Sequence, residues 1–204
     1  MGERGTKAAI VLTQGLSDRK DWRGRTMQEL MFAAARPHLL RVLGPNSGGI
    51  IVPGWALNAS FAHTDALPGK IAFVAQSDAL ASAVLDWTKS KGVGFSCFLH
   101  LGESADIDLG DVLDYLASDA DTSSILVQME STTAARKFMS ASRAAARKQT
   151  SHPRQSYFFG TNTLRASARV AFSSRHPGSV LAKGHRQNYP APGQAIPTGS
   201  DGPE

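Results

Sequence analysis

Three short stretches carry residue types and positions that could do chemistry. Gln76-Ser77-Asp78 interrupts the apolar run Ile71–Ala75 and precedes a segment that reads as a helix from Ala79 to Lys89. Ser77 is a good N-cap, and Asp78 suits a first helical turn. A strand that turns sharply into a helix aims backbone N–H groups above the sheet, where they can hold a phosphate or carboxylate. Glu130 follows the apolar run Ile125–Met129, at the carboxyl end of a strand, where α/β sites gather. Gly44-Pro45-Asn46 is the third stretch. Glycine permits close backbone approach and asparagine can donate or accept at a turn, although a plain tight turn has the same composition.

Other residues invite chemistry less strongly. Glu103, Asp106, Asp108, Asp111 and Asp114 match neither an EF-hand loop nor a recognisable paired-carboxylate site. They read as the solvated face and first turn of a helix. His63 and His100 have no cysteine or histidine partner at ligand spacing and read as structural histidines, so no metal site is expected. Trp55 and Trp87 read as packing residues. The single cysteine, Cys97, lies in an apparent strand and reads as a small apolar group without an internal disulfide partner.

The elements that would position these residues alternate. A strand at Lys7–Thr13 leads to a helix over Arg25–Arg36 that Pro37 ends. A short strand at Leu39–Leu43 runs into a turn-rich loop. Ile50–Pro53 and Ala59–His63 read as a small hairpin or extended arm. From Gly69 the order becomes regular: strand 71–75, helix 79–91, strand 94–101, helix 109–117, strand 125–129, helix 132–148. Short connections between alternating strands and helices argue for a doubly wound α/β fold with a parallel sheet. After Lys148 the pattern collapses, and residues 149–204 read as an irregular or disordered tail with no convincing further strand.

The 204-residue chain carries a formal net charge of +5. Residues 1–150 hold 16 Lys/Arg against 15 Asp/Glu, and residues 151–204 hold 6 against 2. Without dense basic clusters or interleaved aromatics, that excess does not point to nucleic acid. No apolar run is long enough to cross a bilayer, and the N-terminus has no signal-peptide pattern, so a cytoplasmic protein without a membrane partner is expected.

Several motifs in order and spacing resemble one family. They are R-V-L-G-P-N-S-G-G-I at 41–50, L-N-A-S-F-A-H at 57–63 and G-K-I-A-F-V-A-Q-S-D-A-L at 69–80. L-D-W at 85–87, G-V-G-F-S at 92–96, L-G-E-S-A-D-I-D-L-G-D-V-L-D-Y-L at 101–116 and A-R-K-F-M-S-A-S-R-A-A-A-R-K at 135–148 continue the series. Residues 1–148 thereby resemble the NDP-forming acyl-CoA ligases, relatives of the succinyl-CoA ligase alpha subunit. They are most like the acetate–CoA ligase-like region of bacterial proteins that end in a GNAT acetyltransferase domain.

The resemblance implies that residues 1–66 are the later half of a Rossmann-like CoA-binding domain, and 69–148 the start of a flavodoxin-like domain. It implies CoA and ATP or ADP as cofactors, CoA or acyl-CoA as partner, and an ATP-grasp domain or subunit. Gly44, Pro45 and Asn46 would face CoA and phosphate. Gln76 and Ser77 would face the phosphohistidine, and Glu130 would orient it. The family usually has Ser-Gln-Ser-Gly where this chain has Ala75-Gln76-Ser77-Asp78. A carboxylate about 5 Å from a phosphoryl charge would cost on the order of 3 kcal/mol at an effective dielectric near 20. An Asp78 directed elsewhere would be harmless. After Lys148 the family pattern stops. His152, His176 and His185 lack the small-residue context of the family's catalytic histidine, so no catalytic residue is assigned. The resemblance implies a fragment, truncated at both ends and inactive alone, with a shifted reading frame near residue 148 as one explanation. A CoA- or acyl-CoA-sensing module of a GNAT protein acetyltransferase is the alternative.

Overall fold

The computed structural model describes residues 1–132, 134–148 and 157–160. Twelve principal elements follow in order: β1 (Ala8–Ile10), α1 (Met27–Ala35), β2 (Arg41–Leu43), β3 (Gly49–Val52), β4 (Leu57–Ser60) and β5 (Pro68–Ala75). Then come α2 (Asp78–Ser90), β6 (Phe95–His100), α3 (Leu109–Ser118), β7 (Ser124–Met129), α4 (Ala135–Lys148) and β8 (Tyr157–Gly160). The fold is α/β with two sheets. β1 and β2 form a parallel pair, and the other strands form a six-stranded sheet in the order β4-β3-β6-β5-β7-β8. β6, β5, β7 and β8 run parallel, and β3 is antiparallel to both β4 and β6.

Strand alternation builds two apolar layers. Ala72 and Val74 of β5, Cys97 and Leu99 of β6, and Ile125 and Val127 of β7 face the packed pair α3 and α4, meeting Leu109, Leu113, Leu116, Phe138 and Ala141. Phe73 and Ala75 face the other way, joining Phe98, Ile51 and the α2 residues Ala81 and Leu85. α2 is therefore set by a buried stripe at 81, 85 and 88, the helical period. α3 starts on Asp108, whose carboxylate accepts from the Asp111 amide while Asp111 reaches back to the Asp108 amide.

Two features differ from the sequence reading. The segment 49–60 forms the hairpin expected there, but it does not stand apart from the main sheet. Its strand β3 pairs with β6, from Gly49↔His100 to Ile51↔Phe98. Of the expected piece 1–66, only β1 and β2 stand in the small sheet. The pairing partner lies some fifty residues downstream, so local pattern could not reveal it. Second, Tyr157–Gly160 forms a strand parallel to β7, within the segment read as irregular. Tyr-Phe-Phe has high β propensity, but four residues are too few to establish a period. The other expectations for the tail, and His152, His176 and His185, lie outside the described residues.

A charged cluster ties the layers together. Arg41 of β2 bonds Asp106 at 3.1 Å and Asp111 at 3.4 Å, and the Val42 amide donates to Asp106 at 2.7 Å. Lys137 of α4 reaches Asp108 at 3.0 Å and Asp111 at 2.8 Å. Burial works against the Asp111 charge, but the Lys137 ammonium, the Asp108 amide and Arg41 hold its carboxyl below the ordinary range. Asp106, Asp108 and Asp111 are thus committed to capping and to basic partners.

Candidate functional site

The carboxyl ends of β5, β6 and β7 lie at one edge of the sheet because the three strands are parallel. Gln76 and Ser77 follow β5, His100 ends β6, and Glu130 follows β7. The strand-to-helix corner is held from beneath by Gln128. Its side chain is 1% exposed, and its Oε1 accepts from the amides of both Gln76 and Ser77 at 2.9 Å. Ser77 caps α2, its Oγ accepting from the Leu80 amide at 3.4 Å. The amides of Asp78 and Ala79 follow in the first turn, where an α-helix leaves N–H groups without intrahelical acceptors. The Gln76 side chain spans the groove to β7. Its Oε1 accepts from the Glu130 amide at 2.7 Å and the Ser131 amide at 3.1 Å, and its Nε2 donates to the Ser131 carbonyl at 3.0 Å. Gln76, Ser77 and Glu130 therefore come together as one crest.

Gly44, Pro45 and Asn46 approach the same edge from the small sheet, but their backbone groups are engaged elsewhere. The Ala105 amide donates to Gly44 O, the Glu103 amide to Pro45 O, and the Asn46 amide to Thr13 O. Gly44 has φ +104°, and a Cβ there would lie 2.5 Å from the Val11 carbonyl oxygen, so only glycine fits this packed turn. The link from this loop to the crest is His100, 6% exposed. The Gly48 amide donates to His100 Nδ1 at 2.6 Å, and His100 Nε2 lies 3.1 Å from the Gln76 carbonyl oxygen. An amide only donates and a carbonyl only accepts, so this network assigns a neutral ring with the proton on Nε2. His100 is the structural histidine expected from sequence. Its place between the loop at 44–48 and the corner at Gln76 was not expected. The available signal was its position at the carboxyl end of a central strand.

Asp78 lies over Gly48. Its Oδ1 lies 3.1 Å from where a Gly48 Cβ would stand, and His100 Nδ1 lies 3.0 Å from the same point. With Ser60, Phe61, Ser82 and Phe98, these groups line a cavity of about 70 Å³.

The remaining candidates are dispersed. His63 Nε2 meets Asp86 Oδ1 at 2.6 Å on the surface. Trp55 and Trp87 are 66% and 60% exposed, which corrects their reading as packing residues. Trp55 instead rims a cavity of about 550 Å³ at the opposite end of the sheet, lined also by Ile50, Val52, Leu57, Cys97 and Tyr115. Burial, and the nearby Asp119 charge, push the Cys97 thiol up to about 12, so it stays protonated at neutral pH. No helix among the described residues is long and apolar enough to cross a membrane.

Comparison with known proteins gives a consistent picture. Residues 68–151 match the family model described as the succinyl-CoA ligase-like flavodoxin domain. The alpha subunit of ADP-forming acetate–CoA ligase I from Pyrococcus furiosus is 33% identical over 148 residues, which cover 72% of this chain and 32% of that one. ADP-forming acetate–CoA ligase I from Archaeoglobus fulgidus is 37% identical over 148 residues, covering 72% of this chain and 22% of its own length. The solved dinucleotide-forming acetyl-coenzyme A synthetase 1 of Ca. Korarchaeum cryptofilum superposes with a TM-score of 0.70 at 29% identity, covering 88% of this chain and 38% of that one. The same enzyme in complex with phosphate and ADP superposes with a TM-score of 0.69. The chain spans between about a fifth and a third of the length of the curated relatives it matches.

Proposed function

Because the chain belongs to the NDP-forming acyl-CoA ligase family and carries its succinyl-CoA ligase-like flavodoxin domain at residues 68–151, we propose that it supplies the CoA- and phosphate-facing segment of an ADP-forming acyl-CoA ligase. The observation that carries this reading is the crest itself. Gln128 fixes the amides of Gln76 and Ser77, and Gln76 fixes the backbone of Glu130, so a helix N-terminus and a carboxylate share one edge. A helix N-terminus of this kind favours a phosphoryl group through its free amides and its dipole. Glu130, an exposed carboxylate, is suited to accept from an imidazole N–H and so fix a histidine tautomer. Gly44, Pro45 and Asn46 would close the CoA side, and Asp78, directed over Gly48, leaves the crest open to phosphate.

The chemistry implied by the relatives' names is thioester formation from an acid and CoA with ADP released. The nucleotide and CoA fit the crest in charge, since the helix start offers amide donors. An ATP-grasp partner would deliver the phosphoryl group. Neither His100 nor His63 is assigned that role. His100 is buried with both ring nitrogens bonded, and the surface His63 is paired with Asp86. On this proposal the described part binds and positions, and no turnover by the chain alone is expected.

Calorimetric titration of CoA into the full chain against a buffer blank tests the reading, followed by incubation with labelled ATP and an ATP-grasp ligase subunit. Micromolar CoA binding without labelled histidine is expected. Absence of CoA binding would refute the CoA assignment, and acid-labile label on the chain would refute the proposed lack of turnover. CoA binding without turnover also fits a regulatory module of a GNAT acetyltransferase. That module would in addition require CoA to alter the acetyltransferase rate.

A further inference from the structure

The two halves of the candidate site have no direct hydrogen bond to each other among the described residues. Gly44, Pro45 and Asn46 are bonded to the loops at 11–13 and 103–105, whereas Gln76 and Ser77 are bonded to Gln128 and to residues 130–131. The His100 side chain bonds Gly48, two residues beyond Asn46, on one side and Gln76 on the other. We infer that His100 is a positioning residue, a neutral clasp that holds Gly48, at the end of the loop begun by Gly44, at a fixed distance from the corner at Gln76. This inference deepens the proposed function and rests on it for the identity of the bound group. The clasp itself rests on geometry alone.

The clasp is built for one protonation state and one orientation. Gly48 N–H can only donate, so Nδ1 must be bare. Gln76 C=O can only accept, so Nε2 must carry the proton. The backbone on either side is also tied. The Ser47 hydroxyl donates to the His100 carbonyl at 2.5 Å, and the Gly49 amide donates to the Ser47 hydroxyl at 3.0 Å. Gly49 then pairs in register with His100 across β3 and β6. Residues 47–49 are therefore anchored to a single residue of β6 through its side chain and its carbonyl. A Cβ on Gly48 would lie only 3.0 Å from Nδ1 and 3.1 Å from the His100 Cβ, a tight contact, so the ring packs closely on the peptide it bonds.

A purely space-filling residue would not need both nitrogens. The ring's two bonds can be separated by substitution. Asparagine places a carboxamide oxygen near the Nδ1 position and can still accept from Gly48. Glutamine reaches further, placing an amide donor near the Nε2 position, and can still donate to the Gln76 carbonyl. His100→Asn should thus keep the loop bond and lose the corner bond, and His100→Gln the reverse.

The test uses the full chain in solution. In the parent protein, imidazole nitrogen resonances of His100 should show a bare Nδ1 and a protonated Nε2 at neutral pH. Exchange of the Gly48 amide should be at least tenfold faster in His100→Gln than in His100→Asn. Titration with inorganic phosphate should then shift the amides at 77–79 and those at 46–48 along one common curve in the parent, and along separate curves in both variants. A protonated Nδ1, equal Gly48 exchange in the two variants, or curves that remain common in them would overturn the clasp. If phosphate moves neither set in the parent, the proposed phosphate site fails. The clasp is then judged by the ring nitrogens and Gly48 exchange alone. Should neither variant fold, the parent's nitrogen resonances decide.

Discussion

Replacing Gln128 by methionine probes the corner most sharply. Methionine has nearly the same length and no acceptor of comparable strength. In the parent, Gln128 Oε1 accepts two amides at 2.9 Å from a position 1% exposed. After the change, Gln76 N–H retains only the longer 3.3 Å bond to the Gln128 backbone carbonyl, and Ser77 N–H loses its side-chain acceptor. A buried donor left unpaired costs about 1–3 kcal/mol. One full loss and one partial loss therefore give about 2–3 kcal/mol. For a chain of this size each kcal/mol lowers the melting temperature by about 2–4 °C, so a fall of about 5–10 °C is expected. Thermal unfolding followed by circular dichroism reads the fall, and amide exchange at Ser77 locates it. A melting temperature within about 1 °C of the parent, or unchanged Ser77 exchange, would refute the reasoning that Gln128 holds the corner.

Gly48→Ala drives a methyl against His100 and Asp78. Overpacking of this kind costs about 1–3 kcal/mol, which urea unfolding would show, and Gly48 amide exchange should rise with it. The cluster at Asp111 predicts an acid limb. Its carboxyl titrates below the ordinary range when folded, so its contribution is present above about pH 4, the unfolded value, and is lost as pH falls through the lower folded value. Asp111→Asn should flatten that limb by about 0.2–1 kcal/mol per partner, measured by urea midpoints between pH 2 and 6. Cys97, with its thiol pushed up to about 12, should resist a thiol reagent at pH 8 in the native chain and react fully in denaturant. Fast native labelling would contradict its burial.

Much of the parallel core was legible because its signals are local. The run Ile71–Ala75, the Ser77 cap and the acidic start of the helix near Leu109 each lie within one window of sequence, and each forms the element it announces. The carboxylates from Asp106 to Asp111 likewise take up helix-start and basic partners. What was not legible depends on contacts far along the chain. Gln128 looks like a polar lapse in an apolar strand until Gln76, 52 positions away, is set above it. His100 gains meaning only when Gly48 and Gln76 arrive from two different connections. The hairpin 49–60 declares two strands locally, but its place against β6 is a tertiary choice. Trp55 and Trp87 show the converse. Large aromatic rings suggest interior packing, yet a one-way rule puts apolar residues inside without forbidding them outside.

The most direct measurement is a backbone amide map of the full chain titrated with inorganic phosphate. The account predicts saturable shifts centred on Ser77, Asp78 and Ala79, with Glu130 responding alongside them. Shifts confined to the basic residues of α4, or no saturable shift at the start of α2, would contradict it.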